Sequence, residues 1–342
     1  MRSVSELRKD IVSGDWVVIA TGRKRRPHDF AVNKKHTSTK AQRVLCPFEK
    51  LHGEASYVIL KNGETHQPSA KNTLLLEKEW AVQVIPNKYP AFGHGRCAVV
   101  FNQGPYQLQD GAGFHDVVVT REHDRPLALM SVSNIFSVLY AYRHRYQQLK
   151  DDDCVKYVSI FHNHGAEAGA SITHPHSQIV AIPVVPPEVE RSIKGSDRYF
   201  AKEKKCVHCV MIAFELKEKK RLVYENDDFV VFAPFASRTA FEVRIFPKKH
   251  SPMFEAIHND QIKSFADTIK EALSKLYTGL GNPSYNFFIH TSPAFYVKTF
   301  EHYHWHLEII PKTAIWAGFE LGTDINISTI TPEAAAAFLR TL

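Results

Sequence analysis

The sequence predicts an α+β fold built from two tandem copies of one unit, each an antiparallel sheet with packed helices. Three pairs of segments carry that expectation. His174-Pro175-His176-Ser177-Gln178, followed by an apolar run, returns 130 residues later as His304-Trp305-His306-Leu307-Glu308, again before an apolar run. Arg121-Glu122-His123 and Lys248-Lys249-His250 each close a β-branched or aromatic run and precede a helix-like stretch. Cys46-Pro47-Phe48-Glu49 and Cys206-Val207-His208-Cys209 open the two copies. Three pairs in the same order point to one unit present twice. We place the units at residues 1–190 and 191–342. A chain of 342 residues with 44% hydrophobic composition is long enough for two cores.

The elements follow in order. Residues 15–20, Asp-Trp-Val-Val-Ile-Ala, read as a strand. The basic stretch Arg23 to Pro27 comes next, and a guanidinium at a strand end forks onto phosphate in a way an ammonium cannot. Residues 33–42 are polar and read as a connection. Residues 80–90 read as a strand ending in a turn, for which Asn87 is well suited. Residues 132–149 carry Ile135, Val138, Leu139 and Tyr142 at helical spacing, an amphipathic helix that packs on the sheet. Residues 157–161 are a strand that delivers Asn163. Pro186, Pro187 and the charged run to Lys205 join the copies. A helix after Asp260, with Ile262, Phe265, Ile269 and Leu273, matches the first helix, and residues 285–289 match its following strand. The alanine-rich end reads as a helix beginning near Pro332, a residue that fits a first turn.

Composition narrows the class of partner. A net charge of +7 and a pI near 9.0 suit an anionic ligand. Arg23-Lys24-Arg25-Arg26 is short for a nucleic-acid surface, so phosphorylated small molecules are expected and nucleic acid is not. No run of ~18 apolar residues would span a membrane. The start, Met1 to Glu6, lacks the apolar core of a signal peptide, and a cytoplasmic protein is expected. Five cysteines, two of them in Cys-x-x-Cys, argue for metal ligation over a disulfide framework.

The chemistry centres on residues 169–178. Side chains alternate along a strand, so His174, His176 and Gln178 are expected on one side. A neutral imidazole nitrogen can attack phosphorus while an uncharged amide beside it steadies a phosphoryl oxygen.

His-Pro-His-x-Gln, preceded by Asn163-x-Gly165 and Gly169-x-Ser171, resembles the active-site segment of galactose-1-phosphate uridylyltransferases, the transferase branch of the histidine-triad superfamily. The resemblance runs from Arg8-Lys9-Asp10 to Ala317-Gly318-Phe319-Glu320. It implies two histidine-triad-like units, with His176 as nucleophile and Gln178 and Ser171 as donors to phosphate. It also implies substrate contacts from Arg23, Arg26, Asn87, Asn163, Gly169 and Glu320, the last reaching across a homodimer interface. The implied partners are a nucleoside diphosphate sugar and a sugar 1-phosphate or phosphate. Glutamine at 178, where family hydrolases carry a third histidine, favours phosphate over water as acceptor. Glu308 replaces that glutamine in the second copy, and a carboxylate facing a phosphate repels it. Catalysis is therefore assigned to the first copy, and the second is read as degenerate and structural.

The expected function is UDP-glucose–hexose-1-phosphate uridylyl transfer through a nucleotidyl-histidine. Ala314 stands where classical galactose enzymes have lysine, and Asn326 where they have glutamine. The segment Gly318 to Thr323 is similar to relatives that phosphorolyse ADP-glucose. A phosphorylase is the alternative, and a non-catalytic, zinc-stabilised nucleotide-binding protein is the reading from another class.

Cys206, Cys209, His250 and His304 offer two thiolates and two imidazoles, a set that favours tetrahedral zinc. The corresponding first-unit set is Cys46, Glu49, His123 and His174, with a carboxylate in place of the second thiolate and a weaker site expected. Its expected role is to hold His174 so that the strand presents His176.

Overall fold

The computed structural model describes residues 5–23, 46–93, 95–97, 99–295 and 300–342. A hairpin of β1 (Glu6–Lys9) and β2 (Trp16–Ile19) opens the chain, and Thr21–Arg23 form a 3-10 turn. The first unit continues with β3 (Tyr57–Leu60), β4 (Thr65–His66), α1 (Thr73–Glu79) and β5 (Trp80–Pro86). An exposed hairpin of β6 (Val100–Gln103) and β7 (Tyr106–Gln109) precedes β8 (Phe114–Thr120). Helix α2 (Val132–Leu149) then leads into β9 (Tyr157–His164) and β10 (His176–Ile182). Helix α3 (Pro187–Glu203) contains residues 190 and 191, the division expected from the sequence, and α4 (Val207–Glu218) follows. The second unit supplies β11 (Leu222–Glu225), β12 (Phe229–Phe232), β13 (Val243–Pro247) and α5 (Asn259–Leu280). It continues with β14 (Tyr285–His290), β15 (His306–Pro311), α6 (Gly318–Thr323), β16 (Asn326–Ser328) and α7 (Pro332–Arg340).

Eleven strands make one sheet in the order β11-β12-β13-β15-β14-β9-β10-β8-β5-β3-β4. Every pairing in it is antiparallel. Outward from the central β9–β14 contact, β10, β8, β5 and β3 of the first unit correspond to β15, β13, β12 and β11 of the second. The repeat is thus two halves of one continuous sheet. β16 also pairs in parallel with β2, which ties the C-terminal segment to the opening hairpin.

Helices α2 and α5 cover one face. Their apolar stripes, including Leu139, Tyr142 and Tyr146 on α2 and Phe265, Ile269 and Leu273 on α5, are buried in a single core with Ile160, Ile179, Phe287 and Leu307. Each such side chain contributes about 1.5–3 kcal/mol on leaving water. α2 starts where Ser131 accepts the Asn134 N–H, and α5 stops at Gly281, which adopts the left-handed conformation. The alternate residues of β8, β9, β10, β14 and β15 face away from the helices and form the surface on which the site is built.

Two expectations are corrected. The strand expected from His174 begins only at His176: before it, the Pro175 carbonyl accepts from the Thr120 hydroxyl at 3.2 Å and His174 Nε2 turns to the Thr120 carbonyl. Cys97 and Cys154 are joined by a disulfide with a Cα–Cα distance of 4.8 Å, although the cysteine count argued against such bonds. Chain folding brings them together across 57 residues, which spacing does not reveal. Among the described residues no helix is long and apolar enough to cross a membrane. Arg26 and residues 33–42 lie outside the described residues.

Candidate active site

β10 presents His176 and Gln178 on the open face, with Ser177 turned between them into the interior. Ser177 is held from behind by the Tyr142 hydroxyl and by His162 Nδ1, 2.9 Å away. The His176 Nδ1–H donates to the carbonyl of His174 at 2.8 Å, which leaves the Nε2 lone pair pointing outward. Burial lowers the His176 pKa below its usual 6.5, partly opposed by that hydrogen bond. The ring is therefore neutral near pH 7. Phe48 packs against it with ring centroids 5.1 Å apart.

Gln178 pairs with Phe161 on β9 and Val117 on β8. Phe161, Asn163, Asn286, Phe288, Lys312 and Trp316 line an adjoining groove of about 390 Å³. That volume suits a small ligand. Asn286 Nδ2 donates to Asn163 Oδ1 at 2.8 Å and to the Ala168 carbonyl at 2.8 Å, so the Asn163 amide nitrogen is the end left for a ligand. Gly169 closes the turn after Ala168 with φ +87°, a conformation that glycine adopts without strain. Ser171 is exposed in the bend before β10. Asn87 acts as the turn-former: its Oδ1 accepts the Tyr89 N–H at 2.9 Å.

His174 does not share the open face with His176. Its Nε2–H donates to the Thr120 carbonyl at 2.6 Å, and its Nδ1 lies 3.6 Å from Cys46 Sγ. The second unit repeats this: the His304 Nε2–H donates to the Pro247 carbonyl at 3.0 Å while Nδ1 lies 3.5 Å from Cys209 Sγ. His250 is set likewise, with Nε2 on the Glu301 carbonyl at 2.7 Å and Nδ1 3.4 Å from the same sulfur. Backbone carbonyls that fix one ring nitrogen and aim the other inward are the usual support of metal-ligating histidines. The donor atoms of Cys206, Cys209, His250 and His304 lie within 4.8 Å of one another, as do those of Cys46, His123 and His174. Both clusters have the chemistry and spacing to hold a metal ion. Glu49 is placed against His123 Nδ1 and outside the compact first-unit set.

With this geometry in hand, known proteins give a consistent comparison. The family model described as "Galactose-1-phosphate uridyl transferase, N-terminal domain" matches residues 1–186, and a "Domain of unknown function (DUF4921)" matches residues 107–339. ADP-glucose phosphorylase from Arabidopsis thaliana is 34% identical over 339 residues, covering 98% of this chain and 92% of that protein. The chain belongs to the galactose-1-phosphate uridylyltransferase family. Another member, galactose-1-phosphate uridylyltransferase from Thermotoga maritima, is 28% identical and covers 98% of each chain. The solved structure of the Arabidopsis thaliana ADP-glucose phosphorylase with bound ADP-glucose aligns with a TM-score of 0.79 at 32% identity, over 99% of both chains. These relatives are enzymes acting on nucleotide sugars or sugar phosphates.

In this uridylyltransferase-family chain the second copy preserves its histidine and seals it. His306 Nδ1 donates to the His304 carbonyl at 3.1 Å, the same bond that His176 makes to His174. Yet burial pushes the His306 pKa down to about 3, and its Nε2 lies 3.5 Å from Glu308. Glu308 is clamped by Arg238 and by Arg244 at 2.9 Å. Asp10, Val12 and Ser13 of the opening hairpin help close the remaining space to about 50 Å³. The expected repulsion by Glu308 is thus replaced by a different physical cause: its charge is neutralised, and the cavity is too small for a nucleotide.

Of the remaining predicted contacts, Arg23 sits in the 3-10 turn and Glu320 caps its own helix, its carboxylate accepting the Ala317 N–H at 3.0 Å. One residue of the site escaped the sequence reading. His115, on β8, places Nε2 2.7 Å from Gln178 Oε1. Alternation along residues 114–120 puts it on the face of Val117 and Val119, but only the β8–β10 register makes it a neighbour of Gln178.

Proposed function

We propose that the protein moves a nucleoside monophosphate from a nucleoside diphosphate sugar to a phosphate acceptor through a nucleotidyl-His176 intermediate. The carrying observation is the orientation of His176: Nδ1 is committed to a backbone carbonyl and the neutral Nε2 faces the open surface. The Nε2 lone pair forms a bond to the α-phosphorus, the bond to the bridging oxygen breaks, and the sugar 1-phosphate leaves with that electron pair. The Nδ1–H bond to the His174 carbonyl supports the positive charge the ring acquires. An acceptor phosphate oxygen then attacks the same phosphorus, the P–N bond breaks, and His176 is regenerated. Splitting one transfer into two displacements is the logic of covalent catalysis. The Gln178 amide donates to a non-bridging oxygen throughout, with Ser171, Asn163 and Gly169 near the leaving phosphate.

For the acceptor we favour inorganic phosphate, an ADP-glucose phosphorylase type of reaction, for two reasons. The Arabidopsis thaliana phosphorylase shares 34% identity against 28% for the Thermotoga maritima uridylyltransferase, and exposed Ala314 gives a sugar phosphate no cation. Uridylyl transfer to a hexose 1-phosphate is the second reading, supported by full-length coverage of the uridylyltransferase relative and by Lys312 on the groove wall. Zinc is the metal best suited to Cys206, Cys209, His250 and His304, and to Cys46, His123 and His174 with Glu49 nearby; bound there it cross-links strand ends and takes no part in the displacements. Exposed Ile315, Phe319 and Leu321 beside Glu320 fit a homodimer in which this segment meets the partner's groove.

The test is a matrix of two donors, ADP-glucose and UDP-glucose, and two acceptors, phosphate and galactose 1-phosphate. ADP-glucose with phosphate should yield ADP and glucose 1-phosphate faster than UDP-glucose with galactose 1-phosphate exchanges its sugar. The reverse ranking establishes the second reading, and no turnover with any pair returns the protein to the binding class.

A further inference from the structure

The geometry points to His115 as a positioning residue that orients the Gln178 amide, so that its NH2 rather than its oxygen meets the phosphate. The inference rests on the nucleotidyl-transfer reading above and deepens it. The Ala91 backbone N–H donates to His115 Nδ1 at 3.1 Å. A nitrogen that accepts from an amide carries no proton, so the neutral ring must hold its proton on Nε2. That nitrogen lies 2.7 Å from Gln178 Oε1 and donates to it. The Asn87 amide nitrogen, 3.1 Å from the same Nε2, therefore donates nothing to it. Its other end is held by the Tyr89 N–H at 2.9 Å, and the loop 87–91 grips the imidazole from both sides.

The consequence reaches the reacting centre. A side-chain amide can present either end to a ligand, and only the NH2 end stabilises the charge that builds on a phosphoryl oxygen. With Oε1 occupied by His115, the NH2 of Gln178 is directed outward, and no acceptor among the described residues takes its protons. His115 stands two positions from Val117, the β8 partner of Gln178, on the same face. A chain of three groups, the Ala91 N–H, the imidazole and the amide, thus transmits the polarity of a backbone N–H to the phosphate site.

Two measurements test this on the full-length protein. The first reads the tautomer without activity: ¹⁵N correlation spectra of ring-labelled protein, assigned by comparison with His115→Gln, should show His115 protonated on Nε2. A ring protonated on Nδ1 overturns the inference, whatever the reaction proves to be. The second is a kinetic cycle with ADP-glucose or UDP-glucose, whichever the wild type consumes. His115→Leu should lower kcat roughly tenfold, part of the ~100-fold that one such donor commonly contributes, with KM changed less than twofold. His115→Gln, which restores an N–H donor, should recover most of the rate. In a Gln178→Ala background His115→Leu should cost nothing further. A full tenfold loss in that background, or no loss in the wild-type background, overturns the inference while leaving the transfer reading intact. A wild type that consumes neither donor overturns both.

Discussion

At the residue scale, what an imidazole can do depends on which of its nitrogens carries the proton. Burial favours the neutral form of His176 and the His174 carbonyl orients it, so the form with a free Nε2 lone pair is the one present at neutral pH. The acid limb of kcat/KM should therefore fall below pH 6.5, the usual histidine value, because protonation of Nε2 removes the lone pair. A pH–rate profile with its acid midpoint at or above 6.5 speaks against His176 as nucleophile. Gln178→Ala should lower kcat by ~100-fold, since a single lost donor to a developing charge commonly costs that much. Steady-state kinetics at saturating donor reads the loss directly, and a change of less than threefold contradicts the role. The shared strand face of His176 and Gln178 was legible because two-residue spacing is a local property. His115 was not, since it meets Gln178 only through strand register. The paired charges around Glu308 were equally hidden: Arg238 and Arg244 lie 70 and 64 residues away in the chain, and only folding turns a repulsive carboxylate into a neutralised one.

At the scale of elements, periodicity gave the long helix α2 and the strands β9 and β14 to within a few residues, because each carries a regular apolar face. The segment from Pro186 to Lys205 read as a connection, yet most of it is helix α3, whose charged surface masks its period. The turn between β9 and β10 shows how an element sets the site. Gly165 has φ +81°, and a Cβ there would sit 2.3 Å from Ser284 Oγ. Gly165→Ala should destabilise the fold by about 1–3 kcal/mol through backbone strain and this contact. Denaturant melting should show a lower midpoint with an unchanged slope. An unshifted midpoint means that the turn relaxes, and the close approach of Gly165 to Ser284 is then not a constraint on the fold.

At the scale of the molecule, the two repeats form one continuous sheet, and the proposed chemistry belongs to its first half. The repeat itself was visible in sequence; the merging of its halves across β9 and β14 was not, since alternation along a strand does not say which edge it meets. The four-donor cluster of Cys206, Cys209, His250 and His304 should hold zinc more firmly than the first-unit cluster, because two thiolates outweigh one. Purified protein dialysed against a mild chelator should keep about one zinc per chain by elemental analysis, and Cys206→Ser should release it and lower Tm. Metal that stays bound in Cys206→Ser, or a wild type that binds none, removes zinc from the account. The difference between the two halves can be read by mass. Intact-mass analysis after brief incubation with ADP-glucose or UDP-glucose, in the absence of acceptor, should show one acid-labile nucleotidyl group per chain. It should be absent in His176→Ala and discharged by added phosphate. An adduct that persists in His176→Ala, two adducts per chain, or none from either donor would contradict the claim that His176 alone carries the transferred group.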